Sequence, residues 1–177
     1  MSKTLLAFEG VSPTVAPTAW IAPTAVLIGN VTVGEQSGIW FHCVLRGDTN
    51  FIRIGARTNI QDGTIIHVNA AEFATIIGDD VTVGHAAIIH ACTLHNRAFV
   101  GMGATILDGA VIEEGGMLAA GGLLTPNKRI GPNELWQGSP ARLARVMDHA
   151  ERTRFDHNAI HYVELAARYL KSESGRG

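Results

Sequence analysis

The chain has 177 residues, of which 46% are hydrophobic and 17% charged, and its formal net charge at pH 7 is −2. This length suits one domain with an extended apolar core, and the absence of Lys or Arg runs argues against a nucleic acid or an anionic membrane as partner. No apolar stretch approaches the roughly 20 residues of a membrane span, and the first residues lack signal-peptide organisation, so we expect a cytoplasmic protein.

From Val15 onward an aliphatic residue recurs at every sixth position over long stretches. The hexad residues are Val15, Ile21, Leu27, Val33, Ile39, Leu45, Ile54, Ile60, Ile66, Ile77, Val83, Ile89, Leu94, Val100, Ile106, Ile112, Leu118, Leu124 and Ile130. A period of six matches no single face of an α-helix, whereas three hexads make one coil of a triangular prism. The pattern predicts an all-β solenoid, a parallel β-helix of roughly six coils, over residues 1–137.

The period is interrupted at three places, where we expect functional residues because loops inserted into a solenoid often carry function. The interruptions are three extra residues within 45–54, five extra residues within 66–77 and one missing residue within 89–94. The first contains Arg46-Gly47-Asp48, and the second begins directly after His67. We therefore expect two inserted loops at these positions.

After residue 137 the hexads stop and the pattern changes. Pro140 follows Gly138 and Ser139 and suits the first turn of a helix. From about residue 147 to residue 171, apolar residues recur at intervals of three and four, which predicts an amphipathic helix. We expect residues 138–177 to form a connector and an α-helix that packs on the β-helix as part of the same domain.

Two histidines occupy equivalent positions on adjacent predicted coils. His67 follows Ile66 and His90 follows Ile89, so their backbones should lie about 5 Å apart with both side chains outward. Two neutral imidazoles at this spacing can share one metal ion, although a hydrogen-bonded ladder of surface histidines would give the same spacing. His85 lies on the preceding face and points away from the pair within its own chain. It can complete the site when chains pack side by side around a three-fold axis.

Three histidines and a water make an open, catalytic coordination sphere, and neutral nitrogen ligands suit Zn²⁺, with Fe²⁺ or Co²⁺ as alternatives. Cys43 and Cys92 have no paired framework, and we interpret them as buried packing residues. We interpret the other histidines as structural or exposed, and these are His42, His95, His149, His157 and His161.

Several motifs together resemble the γ-class carbonic anhydrases and their close relatives. They are Arg46-Gly47-Asp48, residues 58–63, His67, residues 81–85, and His90 with Cys92. The resemblance implies a left-handed β-helix that forms a homotrimer, with a metal between subunits held by His67 and His90 of one chain and His85 of the next. It also implies reversible hydration of carbon dioxide to bicarbonate by a metal-bound hydroxide.

The resemblance further implies roles for residues near the three histidines. Gln61 would hydrogen-bond the metal-bound water or hydroxide, Asn59 would line the same pocket, and Asp62 resembles part of a supporting network. Asn59 and Asp62 also suit tight corners, since Asn and Asp tolerate turns. Gln61 has the clearest functional case, because a neutral amide can orient hydroxide without competing for the metal.

Arg46 and Asp48 resemble the family's charged pair at the subunit boundary, although a purely interfacial ion pair would look the same. Tyr162 resembles a tyrosine that closes over the site, and packing of the helix is its alternative role. The family's acidic proton relay is less evident, because Thr49 follows Asp48 and the second interruption offers only Glu72. Glu72 is either a proton shuttle or a solvated loop residue.

Three other functions stay open. A metal-dependent thioesterase or other hydrolase would need a pocket that admits an acyl chain. A hexapeptide-repeat acyltransferase would use one interfacial histidine as general base, whereas three convergent histidines exceed that need. The third is a non-catalytic scaffold in which the site is vestigial.

Overall fold

The computed structural model describes residues 4–70 and 72–174. Its elements are β1 (Leu5–Leu6), β2 (Thr14–Val15), β3 (Trp20–Ile21), β4 (Val26–Val33), β5 (Gly38–Ile39), β6 (Val44–Ile54), β7 (Asn59–Ile60), β8 (Ile65–His67), β9 (Thr75–Ile77), β10 (Thr82–Val83), β11 (Ile88–His90), β12 (Thr93–Leu94), β13 (Phe99–Val100), β14 (Thr105–Ile106), β15 (Val111–Ile112), β16 (Met117–Leu118), β17 (Leu123–Leu124), β18 (Arg129–Ile130), β19 (Glu134–Gly138), β20 (Ala141–Val146) and α1 (His149–Ser174). Residues 1–3, 71 and 175–177, which the predicted domain ranges include, lie outside the described residues.

The strands stack in parallel into the three faces of a prism. The first face contains β1, β8, β11, β14 and β17, the second β2, β9, β12, β15 and β18, and the third β3, β5, β7, β10, β13, β16 and β19. β4 and β6 are long enough to turn a corner and belong to the first face and then to the second. The chain makes about 7 turns, one more than predicted, because β1 precedes the first hexad and β19 follows the last.

The hexad aliphatics form the core, as their period predicts. From Leu27 to Ile130 every one of them is buried, while Val15 and Ile21 in the first coil are partly buried. Counterparts on adjacent coils lie in register, as Ile66 and Ile89 do. The all-β solenoid is therefore confirmed.

The first interruption of the period is not a loop, which corrects the prediction. Residues 44–54 form one strand of 11 residues, β6, whose residues 48–51 bulge out of the ladder at the corner, where they have no register partner on β4, β8 or β9. Arg46-Gly47-Asp48 therefore lies on a strand. The neighbouring coil needs a glycine here, because a Cβ on Gly29 (φ +71°) would lie 2.5 Å from the Gly47 carbonyl oxygen. In the second interruption, residues 68–70 and 72–74 belong to no strand, and the backbone N–H of Asn69 donates to the Phe73 carbonyl.

The segment after the prism also differs from the prediction at Pro140. This residue lies in the turn between β19 and β20, which pair as an antiparallel hairpin, and not in the first turn of a helix. The reason is local, since Gly138 has a positive φ of 96° that turns the chain back on itself. Helix α1 begins at His149, close to the predicted start.

Helix α1 packs on the third face through aromatic side chains. The ring of Tyr162 stands edge-on to Trp40 with centroids 5.2 Å apart, and the ring of Tyr169 lies 4.6 Å from that of Trp20. Aromatic pairs of this kind stabilise beyond their buried area. The helix thereby brings Tyr162 to the face that carries His85.

The first turns of α1 are anchored by a buried arginine. Arg152 donates to the carbonyl oxygens of Gly115 and Arg97 and pairs with Asp156, which also pairs with the Arg97 side chain at 2.9 Å. Burial disfavours the Asp156 carboxylate, but hydrogen bonds and charges of Arg97 and Arg152 outweigh it, so the pKa of Asp156 lies below its usual value. The position of the helix therefore depends on charged groups.

Candidate functional site

His67 and His90 lie side by side at the ends of β8 and β11, where the coil assignment predicts them. The strand register pairs them directly, and Arg46 of β6 precedes them in the same outward ladder. His67 Nδ1 lies 3.1 Å from His90 Nε2. Their side chains are 22% and 31% exposed, so both can be reached from outside the chain.

The outer nitrogen of His67 faces a carboxylate. His67 Nε2 lies 3.1 Å from Asp48 Oδ1, and Arg46 donates to the other oxygen of Asp48 at 2.5 Å. Burial disfavours the ionised form of Asp48, but the hydrogen bonds from Arg46 and His67 and the charge of Arg46 outweigh it, and the pKa of Asp48 is lowered. An ionised carboxylate can only accept, so His67 Nε2 carries the proton.

His90 has an equivalent partner one coil further on. His90 Nδ1 lies 2.5 Å from Asp108 Oδ1, and Asn69 donates to Asp108 Oδ2 at 2.8 Å. Burial again opposes ionisation, but the hydrogen bonds from Asn69 and His90 and the charge of His90 outweigh it, so the pKa of Asp108 is lowered. His90 Nδ1 therefore carries its proton. We call His67, His90, Asp48 and Asp108 the first-face cluster.

The two inner nitrogens are left with lone pairs that face each other. Such an arrangement is stable only with a cation between the nitrogens, either a proton or a metal ion. Two nitrogens bound to one tetrahedral ion at 2.0–2.1 Å lie about 3.3–3.4 Å apart. The observed 3.1 Å between His67 Nδ1 and His90 Nε2 is a hydrogen-bond length and slightly shorter than this separation. The pair therefore fits a shared proton as it stands, and it would open slightly to share a divalent ion that accepts neutral nitrogen ligands.

His85 belongs to a second group of side chains on the third face. His85 Nδ1 lies 2.9 Å from Asp62 Oδ2, and Asp62 occupies the corner after β7, where Gly63 has a φ of 74°. His85, Gln61 and Tyr162 border one cavity of about 360 Å³. The rest of its wall is formed by Gly84, Phe99, Gly101, Met102, Met117, Ala120 and Asn158. We call His85, Asp62, Gln61, Asn59 and Tyr162 the third-face cluster.

A chain of amides fixes the orientation of Gln61. Gln61 Nε2 donates to Asn59 Oδ1 at 3.0 Å, and Asn59 Nδ2 donates to Thr82 Oγ1 at 3.0 Å. Both amide residues are buried, with 4% and 2% of their surface exposed. Asn59 lies within β7, not at a corner, and stands behind Gln61 as its hydrogen-bond partner.

Tyr162 reaches the cavity from helix α1. Its ring contacts Trp40, so packing accounts for part of its position. Burial and the negative charge of Asp62 raise the pKa of the Tyr162 hydroxyl, which is therefore protonated at neutral pH. The hydroxyl is available as a hydrogen-bond donor beside His85 and Gln61.

The structure does not bring the two clusters together within one chain. Among residues 4–70 and 72–174, no three His, Cys, Asp or Glu side chains converge on a point that can hold a metal ion. His85 therefore lies on a different face from His67 and His90, as the coil assignment predicts. Glu72 is exposed and borders a different cavity, with Phe51 and Phe73.

Asp108 and Asn69 are not among the site residues that the sequence predicts. A signal for Asp108 existed, because it lies two positions after the hexad residue Ile106, on the face of His67 and His90 and one coil beyond them. Asn69 had no signal except its place in the second interruption. The contact between the two depends on how that segment folds back.

Both cysteines are buried, as predicted. Burial raises the pKa of the Cys43 thiol to about 12, and burial together with the charge of Asp108 raises the pKa of Cys92 as well. Protonated, enclosed thiols are poor nucleophiles and poor metal ligands. The packing interpretation therefore accounts for both residues.

Comparison with known proteins identifies relatives along most of the chain. The carbonic anhydrase of Geobacillus kaustophilus is 40% identical over 96% of this chain and 92% of its own length, and the protein YrdA of Escherichia coli is 42% identical over 96% of both. Gamma carbonic anhydrase 2, mitochondrial, of Arabidopsis thaliana is 45% identical over 97% of this chain. The chain spans only 64% of that plant protein.

Solved structures agree on the architecture. A hexapeptide transferase family protein from Anaplasma phagocytophilum superposes with a TM-score of 0.91 at 47% identity, covering 96% of this chain and 99% of that one. An N-acyltransferase from Bacillus cereus, at 18% identity and a TM-score of 0.62, shares the fold alone. No protein-family model matches the chain. The similarities over nearly full length show that the chain belongs to the γ-class carbonic anhydrase-like family of left-handed hexapeptide-repeat β-helix proteins.

Proposed function

We propose that this protein catalyses the reversible hydration of carbon dioxide to bicarbonate at a divalent metal ion between two subunits of a homotrimer. His67 and His90 of one chain and His85 of the next would hold the ion, with Zn²⁺ preferred and Fe²⁺ or Co²⁺ as alternatives. The observation that carries the proposal is the first-face cluster, in which His67 Nδ1 and His90 Nε2 lie 3.1 Å apart while the other nitrogen of each ring faces a carboxylate.

Exposed apolar side chains beside each histidine cluster support a subunit interface. Ile65 and Ile88 precede the paired histidines by two positions and are 48% and 44% exposed, although both are large and aliphatic. Met102, in the wall of the His85 cavity, is 60% exposed. Ile65 and Ile88 are neighbours in the ladder, and contiguous exposed apolar surface of this kind marks protein contacts. Packing the first face of one chain against the third face of the next would cover both patches and join the clusters.

The residues of this chain would divide the work between them. When bound, a divalent ion activates a water molecule for attack on carbon dioxide near neutral pH. Gln61, held by Asn59, would orient that water, and the apolar wall of the cavity would admit the uncharged substrate. Tyr162 would close the cavity and donate a hydrogen bond to an oxygen of substrate or product.

Charged residues would support the ligands. Arg46 donates to Asp48, whose other oxygen faces His67 Nε2, so this ion pair would also orient His67 as a ligand. Asp62 plays the corresponding part for His85. Carboxylates that accept from the outer nitrogen of a ligating histidine fix the ring and strengthen the ligand.

The size of the cavity favours a second candidate function. The cavity of about 360 Å³, with Phe99, Met102 and Met117 in its wall, is larger than a molecule of carbon dioxide requires. An acyl group would fit, so a metal-dependent thioesterase or related hydrolase is the alternative. Acyl transfer with a histidine base shares the fold but leaves the paired lone pairs of the first face unused.

Metal content and activity of the same preparation test the proposal. We expect about one metal ion per chain in oligomer purified without oxygen or chelators, together with carbon dioxide hydration in a stopped-flow assay. His85→Ala should lose both and keep the trimer, whereas the control His95→Ala, at a corner, should lose neither. An oligomer that takes up no metal when Zn²⁺ or Fe²⁺ is supplied contradicts the proposal. Metal without hydration, but with hydrolysis of acyl thioesters, favours the second candidate, and neither activity favours a scaffold.

The location of the protein stays a sequence-based prediction of the cytoplasm. Within the described part of the chain, no helix combines the length and the apolar character that a membrane span requires. The similar plant protein is named as mitochondrial.

A further inference from the structure

Three groups from three coils form a chain of contacts behind His90. Asn69 Nδ2 donates to Asp108 Oδ2 at 2.8 Å, and Asp108 Oδ1 accepts from His90 Nδ1 at 2.5 Å. Asn69 lies 39 positions before Asp108, and His90 lies 18 positions before it. Neither Asn69 nor Asp108 is among the residues that the family resemblance points to.

The backbone of the second interruption holds Asn69 in place. The Asn69 amide nitrogen donates to the Phe73 carbonyl at 3.0 Å, and the Asn69 carbonyl accepts from Asn50 Nδ2 at 3.1 Å. The segment therefore carries Asn69 to the carboxylate of Asp108 and fixes one of its oxygens. The other oxygen is left at a defined place in front of His90.

A fixed carboxylate determines which ring nitrogen of a histidine carries the proton and which is free to bind a metal ion. Because Asp108 accepts from Nδ1, His90 keeps a proton on Nδ1, and Nε2, which faces His67, is the nitrogen left to share a proton or to bind an ion. Without Asp108, the imidazole could turn about χ2 or move its proton to Nε2, and either change would remove the lone pair from the inner position. His67 has a comparable support in Asp48, which Arg46 holds.

We propose that Asp108, held by Asn69, is a positioning residue that sets the tautomer and orientation of His90. The inference rests on the proposed function only for its consequence, metal affinity. Its first part concerns the protein without metal and can be tested separately.

Nitrogen-15 NMR of the metal-free oligomer, labelled on histidine, tests the tautomer. The His90 signals are identified by their absence in His90→Gln. We expect Nδ1 of His90 to carry the proton in the wild type, and the proton to move to Nε2 or exchange between both nitrogens in Asp108→Ala. Asp79→Ala is a matched control, because Asp79 also bridges adjacent coils, to the Ala56 amide at 2.8 Å, but lies away from the histidines.

Competition for Zn²⁺ with a chromophoric chelator tests the consequence. Removing such an outer partner typically weakens metal binding about 10- to 100-fold, and we expect Asp108→Ala to fall in that range. Asn69→Ala should weaken it about 3- to 10-fold, since it loosens the carboxylate without removing it. Native mass and thermal unfolding establish that each variant is an intact oligomer.

The outcomes separate the inference from the function. A wild-type His90 that carries no proton on Nδ1, or an Asp108→Ala variant with unchanged tautomer and Zn²⁺ affinity, overturns the inference. If the tautomer changes as expected but the wild type binds no Zn²⁺, the positioning role is supported and the proposed function fails.

Discussion

The first-face and third-face clusters are built from similar parts but have opposite character. In each, a carboxylate lies within about 3 Å of every histidine, as Asp48, Asp108 and Asp62 do. The first-face cluster is a closed network of charged and polar groups in which two histidines already face each other. The third-face cluster has one histidine at the edge of a cavity with apolar walls and three neutral hydrogen-bonding side chains.

This difference suggests a division of labour across the proposed interface. The first face would hold the ion, because its two nitrogens are in position within a single chain. The third face would complete the coordination through His85 and would receive the substrate, since Gln61 and Tyr162 border its cavity. A site divided in this way is absent from an isolated chain and appears only on assembly.

Replacing Gln61 should separate the binding of the metal ion from the orientation of the attacking water. We expect Gln61→Ala to lower kcat/KM for carbon dioxide hydration by roughly 100-fold, as removal of one positioned hydrogen-bonding group from an active site does, and to leave metal content unchanged. Stopped-flow rates and metal analysis on one sample measure both. Gln137→Ala, at an exposed position of β19, serves as control. If Gln61→Ala loses both the metal and the hydration rate, the third face has no separate role in orienting the water.

Tyr162 joins the helix to the third-face cluster, and two variants distinguish packing from chemistry. Tyr162→Phe keeps the ring on Trp40 and should retain the melting temperature while lowering kcat/KM by about 2- to 10-fold, the value of one hydrogen bond. Tyr162→Ala removes the ring and should reduce the free energy of unfolding by about 2 kcal/mol. Equal activity of the Tyr162→Phe variant and the wild type would assign Tyr162 to packing alone.

Acid should weaken the anchor of α1. The pKa of Asp156 is lower in the folded chain than the ordinary value near 3.9, so its ion pairs stabilise the fold above that value, and the contribution is lost as pH falls through the folded pKa. At pH 7, Asp156→Asn should lower the melting temperature by about 2–4 °C, and the difference from the wild type should shrink below about pH 4. A difference that stays constant down to pH 2 would contradict this account. At neutral pH, the Asp156→Asn substitution should leave metal binding by the first-face cluster unchanged.

The sequence was sufficient for the parts of the molecule that repeat. Every hexad aliphatic from Leu27 to Ile130 is buried, and the coil assignment placed His67 beside His90 and His85 on another face. A period of six is visible in the sequence because every coil buries an aliphatic residue at the same position of each face. The additional turn was missed because its first-face strand, β1, lies before the hexads begin.

Features that occur once were harder to predict. Pro140 suits a helix start by its own geometry, but Gly138 turns the chain into a hairpin before a helix can begin. The extra residues before Ile54 lie in a strand, because β6 bulges at the corner and resumes its pairing at Ile52. Asp108 and Asn69 meet only through the fold of the second interruption, which no local pattern encodes.

Subunit mixing tests the central claim, a metal site shared between chains, most directly. His67→Ala and His85→Ala chains, with different tags, are co-expressed, and metal per chain and carbon dioxide hydration are measured on oligomers that carry both tags and on a randomly assembled pool. Each variant alone should bind no metal, whereas a random one-to-one pool should regain about one quarter of the wild-type metal and activity, because one interface in four pairs two intact halves. Mixed oligomers of confirmed mass that bind no more metal than the separate variants would contradict the shared site.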